Sequence, residues 1–327
     1  MSKRLFKVSA IALCCRLLLL AVTGVAAAQS YPTKPVRVVM PFGPGSASDV
    51  IARVVTEELK NTLGQPFPID YKPGASAQIA AELVARAAPD GYTLFIGTNT
   101  SHSANPHLFR KLNYDPVKDF APVSFMISFT SVLVVEPRVP AKNVAELMAW
   151  TKAHPDKASY AYGNTLSRLA SAWLFRLGGQ TGLGIPYKSH PQAVTDVIGG
   201  AATLTFVDVA TGQGFMNSGK LRAIAVARGK RSPLMPDIPA IAETPGYAGF
   251  DINSWVALFA TGGTPKPVVD ALNAAVRKAL AKPDIRERFT KLSAEVESST
   301  PEELGAFVVK QIDNWGRRVK DAGIEPE

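Results

Sequence analysis

The sequence predicts a two-domain α/β clamp, and three observations support this fold class. Short apolar runs rich in β-branched residues alternate with helix-like segments in two separate blocks of the chain. A long β-rich run at 123–135 leads from the first block to the second, and another at 253–259 is placed to lead back. The 327 residues, 46% of them hydrophobic, suffice for two globular domains and exclude a disordered chain. Two α/β domains joined by paired crossings form a hinged clamp.

The first block alternates strand and helix. Residues 36–40 (VRVVM) are a short apolar run and predict a buried strand. The next segment predicts a helix, because one of its faces collects Ile51, Val54, Val55 and Leu59. Residues 66–71, 79–88 and 92–96 predict a second strand, a second helix and a third strand. This order gives parallel pairing with right-handed crossovers, and therefore a sheet covered by helices on both faces.

The second block repeats the alternation. It predicts helices at 143–154, 166–177 and 191–198, and strands at 158–162, 202–206 and 221–227. In the helical tail, Thr264 and Thr300 each precede a proline, the pattern of an N-cap followed by a helix start. Domain one is therefore predicted at 29–128 plus 252–327, and domain two at 129–251.

The first 28 residues predict a cleaved export signal. An apolar stretch at 17–25 precedes three alanines that end at Ala28, as signal peptidase requires. The stretch is shorter than the roughly 20 residues that a membrane span needs. The basic residues of this leader are Lys3, Arg4, Lys7 and Arg16. We expect cleavage after Ala28 and an exported mature chain.

Removal of the leader changes the charge and the cysteine count. The formal charge falls from +9 to +5, because the leader holds four basic residues and no acidic one. Cys14 and Cys15 leave with it, so the mature chain has neither disulfides nor thiolate chemistry. The densest basic run that remains, at 228–231, lacks interleaved aromatic residues. This favours a solvated loop over a nucleic-acid patch, and we expect no nucleic-acid partner.

The loop at 41–49 (PFGPGSASD) has the features of an anion-binding site. It joins a strand to a helix, and Ser46 and Asp49 have the spacing of a capping box. The remaining first-turn N–H groups point outward at the positive end of the helix dipole, and Gly45 lets a ligand approach the backbone. The alternative is that the loop only starts the helix. A dinucleotide-binding loop is disfavoured, because Ser48 stands where glycine or alanine is needed.

Catalytic and metal-binding constellations are missing from the sequence. The four histidines lack metal-ligand spacing, and no G-x-S-x-G occurs. We therefore expect no catalytic residue, no bound metal and no cofactor. A polar loop at 98–103 follows the third strand, where open parallel sheets bind ligands. His102 in this loop is either a ligand donor or, as we favour, a brace of the loop.

Several segments together carry the likeness of a known family. Over nearly its whole mature length, the chain resembles the substrate-binding proteins of tripartite tricarboxylate transporters, the Bug or TctC family. One such segment is a weak signal, whereas all of them in this order behind an export signal are a strong one. The segments are PFGPGSASD at 41–49, KPGA at 72–75, PDGYTL at 89–94, NPHLFRKLNYDPVKDFAPV at 105–123, PYK at 186–188, GKLRAIAV at 219–226 and RSPLMPDIPAIAE at 231–243.

The resemblance implies a periplasmic-binding-protein-like clamp of type II. Its parallel or mixed sheets are flanked by helices, its lobes are joined by two hinge crossings, and its C-terminal helices return to domain one. Small carboxylates bind between the lobes of this family. Carried over to this chain, the ligand-binding residues are Phe42, Gly43, Gly45, Ser46, Ser48 and Asp49 in the first loop, Gly163, Asn164, Thr165 and Ser167 in the second, and Ala75, Ser76, Thr98, Asn99, Thr100, His102 and Asp208 around the cleft.

Four departures from the family pattern affect this site, and one of them is the deletion of the usual glycine between Asn164 and Thr165. Ser46 replaces a glycine of the first loop, and Ser76 and Ala77 replace glycines after KPGA. Arg168 stands where histidine is common. If Arg168 points inward, it can pair with a second carboxylate in bidentate fashion. An arginine in the first turn of a helix more often faces solvent.

The function that the resemblance implies is a periplasmic solute-binding receptor, not an enzyme. Such a receptor captures a small carboxylate and delivers it to the integral-membrane permease subunits of a tripartite tricarboxylate-type transporter. The protein is expected to act as a monomer. Two alternatives stay open: an exported enzyme acting on a small organic acid, and a ligand-sensing receptor for a membrane signalling partner.

Overall fold

The computed structural model describes residues 31–233, 235–292 and 294–327. The predicted export signal at 1–28 lies outside these residues. The strands form two sheets, one of six strands and one of five. We call each sheet with its flanking helices a lobe, numbered in chain order.

The sheet of the first lobe is mixed. Strand β1 runs parallel to β2 and β3, as predicted, whereas β10 lies antiparallel between β3 and β4. The spatial order is β11-β4-β10-β3-β1-β2. The strands span Arg37–Met40 (β1), Ile69–Tyr71 (β2), Thr93–Thr98 (β3), Phe120–Phe129 (β4), Ser254–Thr261 (β10) and Ala294–Val296 (β11).

The sheet of the second lobe has the order β7-β6-β8-β5-β9. Strand β6 runs parallel to β7 and β8, and β5 is antiparallel to β8 and β9. The strands span Ser131–Val135 (β5), Ser159–Tyr162 (β6), Leu183–Pro186 (β7), Leu204–Asp208 (β8) and Arg222–Val226 (β9).

Helices cover both faces of each sheet. Along β1, Val38 and Met40 enter one hydrophobic core while Val39 enters another, because successive side chains of a strand point to opposite faces. None of the helices in the described ranges is both long and apolar enough to traverse a bilayer. The helices span Ala47–Leu63 (α1), Gln78–Ala85 (α2), Asn105–Leu108 (α3), Val144–Ala153 (α4), Thr165–Leu177 (α5), His190–Ile198 (α6), Val209–Asn217 (α7), Lys266–Leu280 (α8), Pro283–Thr290 (α9) and Pro301–Asp321 (α10).

One of the two predicted tail caps is wrong. Thr264 does not cap α8; its hydroxyl donates to the Thr261 carbonyl at 2.7 Å, and Pro265 occupies the N-cap position. Thr300 does cap α10, accepting from the Glu303 N–H at 3.1 Å. The Glu303 carboxylate accepts from the Thr300 N–H at 2.8 Å, which completes a capping box.

The two β-rich runs of the sequence are the crossings between the lobes. At the first, Thr130 separates β4 of one sheet from β5 of the other. The second enters β10 at Ser254. Asp208, at the end of β8, joins both crossings: its Oδ1 accepts from the Ser131 hydroxyl at 3.0 Å and from the Ser254 hydroxyl at 2.8 Å.

The last helix bridges the lobes. Leu304 and Val308, in the first half of α10, pack into a core of the first lobe. Trp315 and Val319, in its second half, join a core formed mainly by the second lobe. The resemblance implies that the C-terminal helices return to domain one, and in the structure α10 contributes to the cores of both lobes.

Gly97 in β3 tests the packing of the first lobe. A Cβ at this position would lie 2.5 Å from the Phe259 ring and 2.8 Å from the His102 ring, both buried. We expect Gly97→Ala to lower the free energy of unfolding by about 1–3 kcal/mol through overpacking. Urea denaturation followed by circular dichroism measures the change.

The control for this substitution is Gly214→Ala in helix α7. A Cβ there has no neighbour within 4 Å, so alanine should raise the free energy of unfolding by about 0.5–1 kcal/mol. Equal effects of the two substitutions would contradict the close packing at Gly97.

Candidate functional site

A cleft of about 770 Å³ lies between the lobes. Its walls are the segments that follow β1, β2 and β3 in the first lobe and β6, β7 and β8 in the second. Each set of three strands is parallel, so each set presents its carboxyl ends at one edge of its sheet. The cleft therefore lies where open α/β sheets bind ligands, but here two such edges face each other.

The first wall of the cleft is the loop that starts α1. Ser46 caps this helix by accepting from the Asp49 N–H at 3.2 Å. The predicted capping box is only half formed, because the Asp49 carboxylate accepts instead from the Gly45 N–H at 2.9 Å. Among the residues of this loop, Phe42, Gly43, Ser46 and Ser48 line the cleft.

Asp49 and Gly45 do not line the cleft but support the loop from behind. Besides the Gly45 N–H, the buried Asp49 carboxylate accepts from the Tyr71 hydroxyl at 2.6 Å and from Arg53 Nε at 3.1 Å. Burial by itself raises the pKa of this carboxyl, but these hydrogen bonds outweigh it and hold the pKa below its usual value. Asp49 is therefore charged and fixes the shape of the loop.

The facing wall is the start of α5. Asn164 caps this helix, accepting from the Ser167 N–H at 2.8 Å. Gly163, Asn164 and Thr165 line the cleft, whereas Ser167 is fully buried and donates its hydroxyl to the Asn164 carbonyl at 3.0 Å. The N-termini of α1 and α5 thus face the same space from opposite lobes.

A third helix N-terminus, that of α6, was not anticipated as part of the site. Ser189, His190 and Pro191 line the cleft beside Gly163. A Cβ at Gly163 would overlap the backbone of Ser189 and His190, so glycine is needed for this close approach. The serine followed closely by a proline was a visible sequence signal for a helix start.

The loop after β3 contributes its first three residues to the cleft. Thr98, Asn99 and Thr100 line it, and within the described part of the chain Thr98 Oγ1 has no hydrogen-bond partner. His102 turns away from the cleft: its ring stacks on Phe259 at 4.0 Å between centroids, and Nδ1 lies 2.9 Å from the Ser101 hydroxyl. Burial lowers the pKa of His102 to about 3, so the ring is neutral.

Ala75 and Ser76, which line the cleft after β2, have a left-handed backbone. Three consecutive non-glycine residues there have positive φ: 43° at Ala75, 50° at Ser76 and 71° at Ala77. The Ser76 carbonyl accepts from the Asn105 side chain at 2.8 Å. Two of these three residues are the ones that replace the family's glycines, so the chain keeps the turn at the cost of backbone strain.

Charged side chains are few in the cleft. Arg168 lines it, contrary to the expectation that it faces solvent, and its Nη1 lies 2.6 Å from Glu327 Oε1. Asp208 lines the cleft from the second lobe. Burial lowers the pKa of His190, against the opposing effect of the Asp208 charge. Other lining residues that sequence reasoning missed are Tyr162, Tyr187, Lys188, Thr211, Trp255 and Glu327.

The described residues hold no group of three or more His, Cys, Asp and Glu side chains placed to bind a metal. The site consists instead of backbone N–H groups, hydroxyls and amides that converge from two lobes on one enclosed space. This geometry defines a two-lobed solute-binding protein.

Comparison with known proteins gives the family. The family model described as tripartite tricarboxylate transporter family receptor (TctC) matches residues 51–324. BugT of Bordetella pertussis is 31% identical over 313 residues, which cover 94% of this chain and 95% of that protein. The chain therefore belongs to the TctC receptor family of periplasmic solute-binding proteins.

Solved structures of the same kind superpose on nearly the whole chain. Rpa4515 of R. palustris with adipate has a TM-score of 0.87 at 30% identity and covers 91% of this chain and 100% of its own. MatC from Rhodopseudomonas palustris with bound malate has a TM-score of 0.83 at 35% identity, covering 88% and 100%. The clamp fold expected from the sequence is thereby confirmed.

Asp49→Asn tests the support of the first loop. Because the folded-state pKa of Asp49 is depressed, the carboxylate stabilises the protein above its unfolded pKa near 4, and this contribution is lost as the pH falls through the folded-state pKa. We expect Asp49→Asn to lower the free energy of unfolding by about 1–3 kcal/mol at neutral pH, and this difference from the parent to shrink progressively below about pH 4. Urea unfolding across this pH range measures it. Glu57→Gln, at an exposed position of the same helix, should change little, and a pH-independent loss in Asp49→Asn would contradict the argument.

Ser76→Gly tests the backbone strain at the cleft. Glycine has no penalty at positive φ, so we expect the free energy of unfolding to rise by about 1 kcal/mol. Ala274→Gly, exposed within the right-handed helix α8, should lower it by about the same amount. Differential scanning calorimetry of the ligand-free proteins compares them. Destabilisation by both substitutions would show that Ser76 is not strained.

Proposed function

We propose that this protein is exported to the periplasm, captures a small carboxylate between its two lobes and delivers it to the integral-membrane permease of a tripartite tricarboxylate-type transporter. The observation that carries the proposal is the pair of helix N-termini, α1 and α5, that face one cleft from opposite lobes. The ligands of two similar structures, adipate and malate, are both small carboxylates.

The start of each helix supplies donors for an anion. The first N–H groups of a helix have no intrahelical partner and lie at the positive end of its dipole. In α1 these belong to Ala47 and Ser48, and in α5 to Thr165 and Leu166, all of which line the cleft. A carboxylate between them accepts from both lobes at once. The hydroxyls of Ser48 and Thr165 add side-chain donors.

The site residues predicted from the sequence fall into two roles. We propose that four of the sequence-predicted residues support the site without touching ligand: Gly45, Asp49, His102 and Ser167. The others form the wall that contacts it: Phe42, Gly43, Ser46, Ser48, Ala75, Ser76, Thr98, Asn99, Thr100, Gly163, Asn164, Thr165 and Asp208.

Closure of the lobes couples binding to transport. We propose that the lobes act as hinged domains, 29–128 with 252–327 and 129–251, in a monomer. Charge-assisted hydrogen bonds contribute roughly 1.5–3 kcal/mol each, and three or four of them, less the ordering cost, correspond to micromolar affinity at about −8 kcal/mol. Only the closed state makes the contacts of both lobes, so ligand shifts the population towards closure. The permease then recognises the closed form.

A thermal-shift panel of mono-, di- and tricarboxylates, amino acids and aromatic acids tests this function. Ligand at a hundred times its Kd stabilises the folded state by about 2.7 kcal/mol, which raises Tm by several degrees. We expect a shift with carboxylates and recovery of the ligand unchanged. Absence of any carboxylate shift would refute capture, and turnover of the bound acid would identify an enzyme instead.

The double substitution Ser48→Ala with Thr165→Ala tests the two helix starts. Loss of two donors to a charged ligand should weaken its binding at least tenfold, measured by isothermal titration calorimetry. Ser171→Ala is the matched control, because it removes a hydroxyl that is buried in the same helix, does not line the cleft and has no hydrogen-bond partner among the described residues. Equal affinity of the double variant and the parent would show that the hydroxyls of Ser48 and Thr165 do not contribute to ligand binding.

A further inference from the structure

Arg168 and Glu327 meet inside the cleft although 159 positions separate them in the chain. Arg168 lies in the first turn of α5, on the second lobe, and its guanidinium lies 5.8 Å from the centre of the Tyr162 ring. Its side chain is 26% exposed, against 58% for that of Glu327. Both residues line the cleft, so the ion pair stands within the space that a ligand enters.

The backbone of Glu327 is fixed to the first lobe. Its N–H donates to the Leu108 carbonyl at 2.8 Å, and its main-chain oxygen accepts from the Arg110 N–H at 2.9 Å. The segment that carries it follows α10, the helix that bridges the lobes. Only the Glu327 side chain extends from this anchored backbone to Arg168, so it can swing aside without unfolding the segment.

The contact between the two groups is a single hydrogen bond. Arg168 Nη1 donates to Glu327 Oε1, which uses one of the five N–H donors of the guanidinium. The other acidic residue of the cleft, Asp208, already accepts from two serines at the crossings. The remaining donors of Arg168 are therefore suited to a planar carboxylate held in bidentate fashion.

We propose that Arg168 is the cleft's site for the second carboxylate of a ligand, and that Glu327 occupies it as an internal competitor until such a ligand displaces it. This inference rests on the proposed capture of a carboxylate by the helix N-termini. The second carboxylate of a dicarboxylate displaces Glu327 and forms a stronger ion pair with Arg168. A monocarboxylate leaves the ion pair between Arg168 and Glu327 intact. Glu327 thus sets how strongly the protein prefers two carboxylates over one.

Solvent exposure determines which ion pair of Arg168 is stronger, the one with Glu327 or the one with a ligand carboxylate. Glu327 is more than half exposed, and exposed ion pairs are weak, so its displacement costs no more than about fivefold in affinity. A ligand carboxylate enclosed between the lobes makes a stronger, charge-assisted contact, equivalent to tenfold or more in affinity.

Isothermal titration calorimetry with succinate, glutarate and adipate against butyrate, valerate and hexanoate tests the competition. We expect Glu327→Gln to tighten the dicarboxylates about two- to fivefold and to leave the monocarboxylates within twofold. Arg168→Gln should weaken the dicarboxylates tenfold or more, and in its presence Glu327→Gln should have no further effect. Glu325→Gln removes the same charge from an exposed position of the same segment and should change neither class.

Two outcomes would overturn the inference. If Glu327→Gln weakens the binding of both mono- and dicarboxylates, the ion pair is a structural link between the lobes. If Lys188→Gln and Arg168→Gln weaken dicarboxylate binding equally, Arg168 contributes only to the general positive charge of the cleft. If Arg168→Gln does not fold, the comparison of Glu327→Gln with Glu325→Gln decides alone, because both retain Arg168. Binding of carboxylates without this pattern refutes only the inference, whereas no binding of any carboxylate refutes the proposed function as well.

Discussion

The structure depends on the double crossing between the lobes and on the carboxylate that joins its two passages. Asp208 ends the central strand β8 and accepts from Ser131 on the outward passage and from Ser254 on the return. Beside it, Arg228 pairs with Glu295 of the first lobe and donates to Thr130 between the two sheets at 3.0 Å. These contacts hold the carboxyl ends of both sets of parallel strands towards each other.

In the function that we propose, the donors that bind the carboxylate belong mainly to the backbone of the cleft. The capping residues Ser46 and Asn164 use their side chains to satisfy the N–H group of the third helical residue, which leaves the first two N–H groups of α1 and α5 to the cleft. Such donors cannot rearrange, so they are preorganised for a carboxylate. They do not discriminate between ligands that differ outside this carboxylate. In the inference that we propose, the side chain of Arg168 distinguishes ligands with a second carboxylate from ligands with one.

Tertiary packing decides the conformation of the loops around this backbone site. Gly163 has an ordinary φ and is required only because the start of α6 lies against it. Ser76, in contrast, is held in a left-handed conformation that glycine would adopt freely, with its carbonyl tied to Asn105. Gly163 is constrained by the close approach of α6, and Ser76 is constrained by the conformation of its turn. Local composition indicates neither constraint.

The sequence by itself determined the alternation of strands and helices, both crossings and the carboxyl-end position of the site, because these follow from short-range periodicity and turn chemistry. It did not reveal β7 or β11, which are short edge strands with no apolar run to mark them. It also could not decide which polar side chains face the ligand space. His102 turns into an aromatic core, where it stacks on Phe259, and Arg168 lies in a cleft whose walls come from segments far apart in the chain. Side-chain direction is set by such non-local contacts, and only the folded structure brings them together.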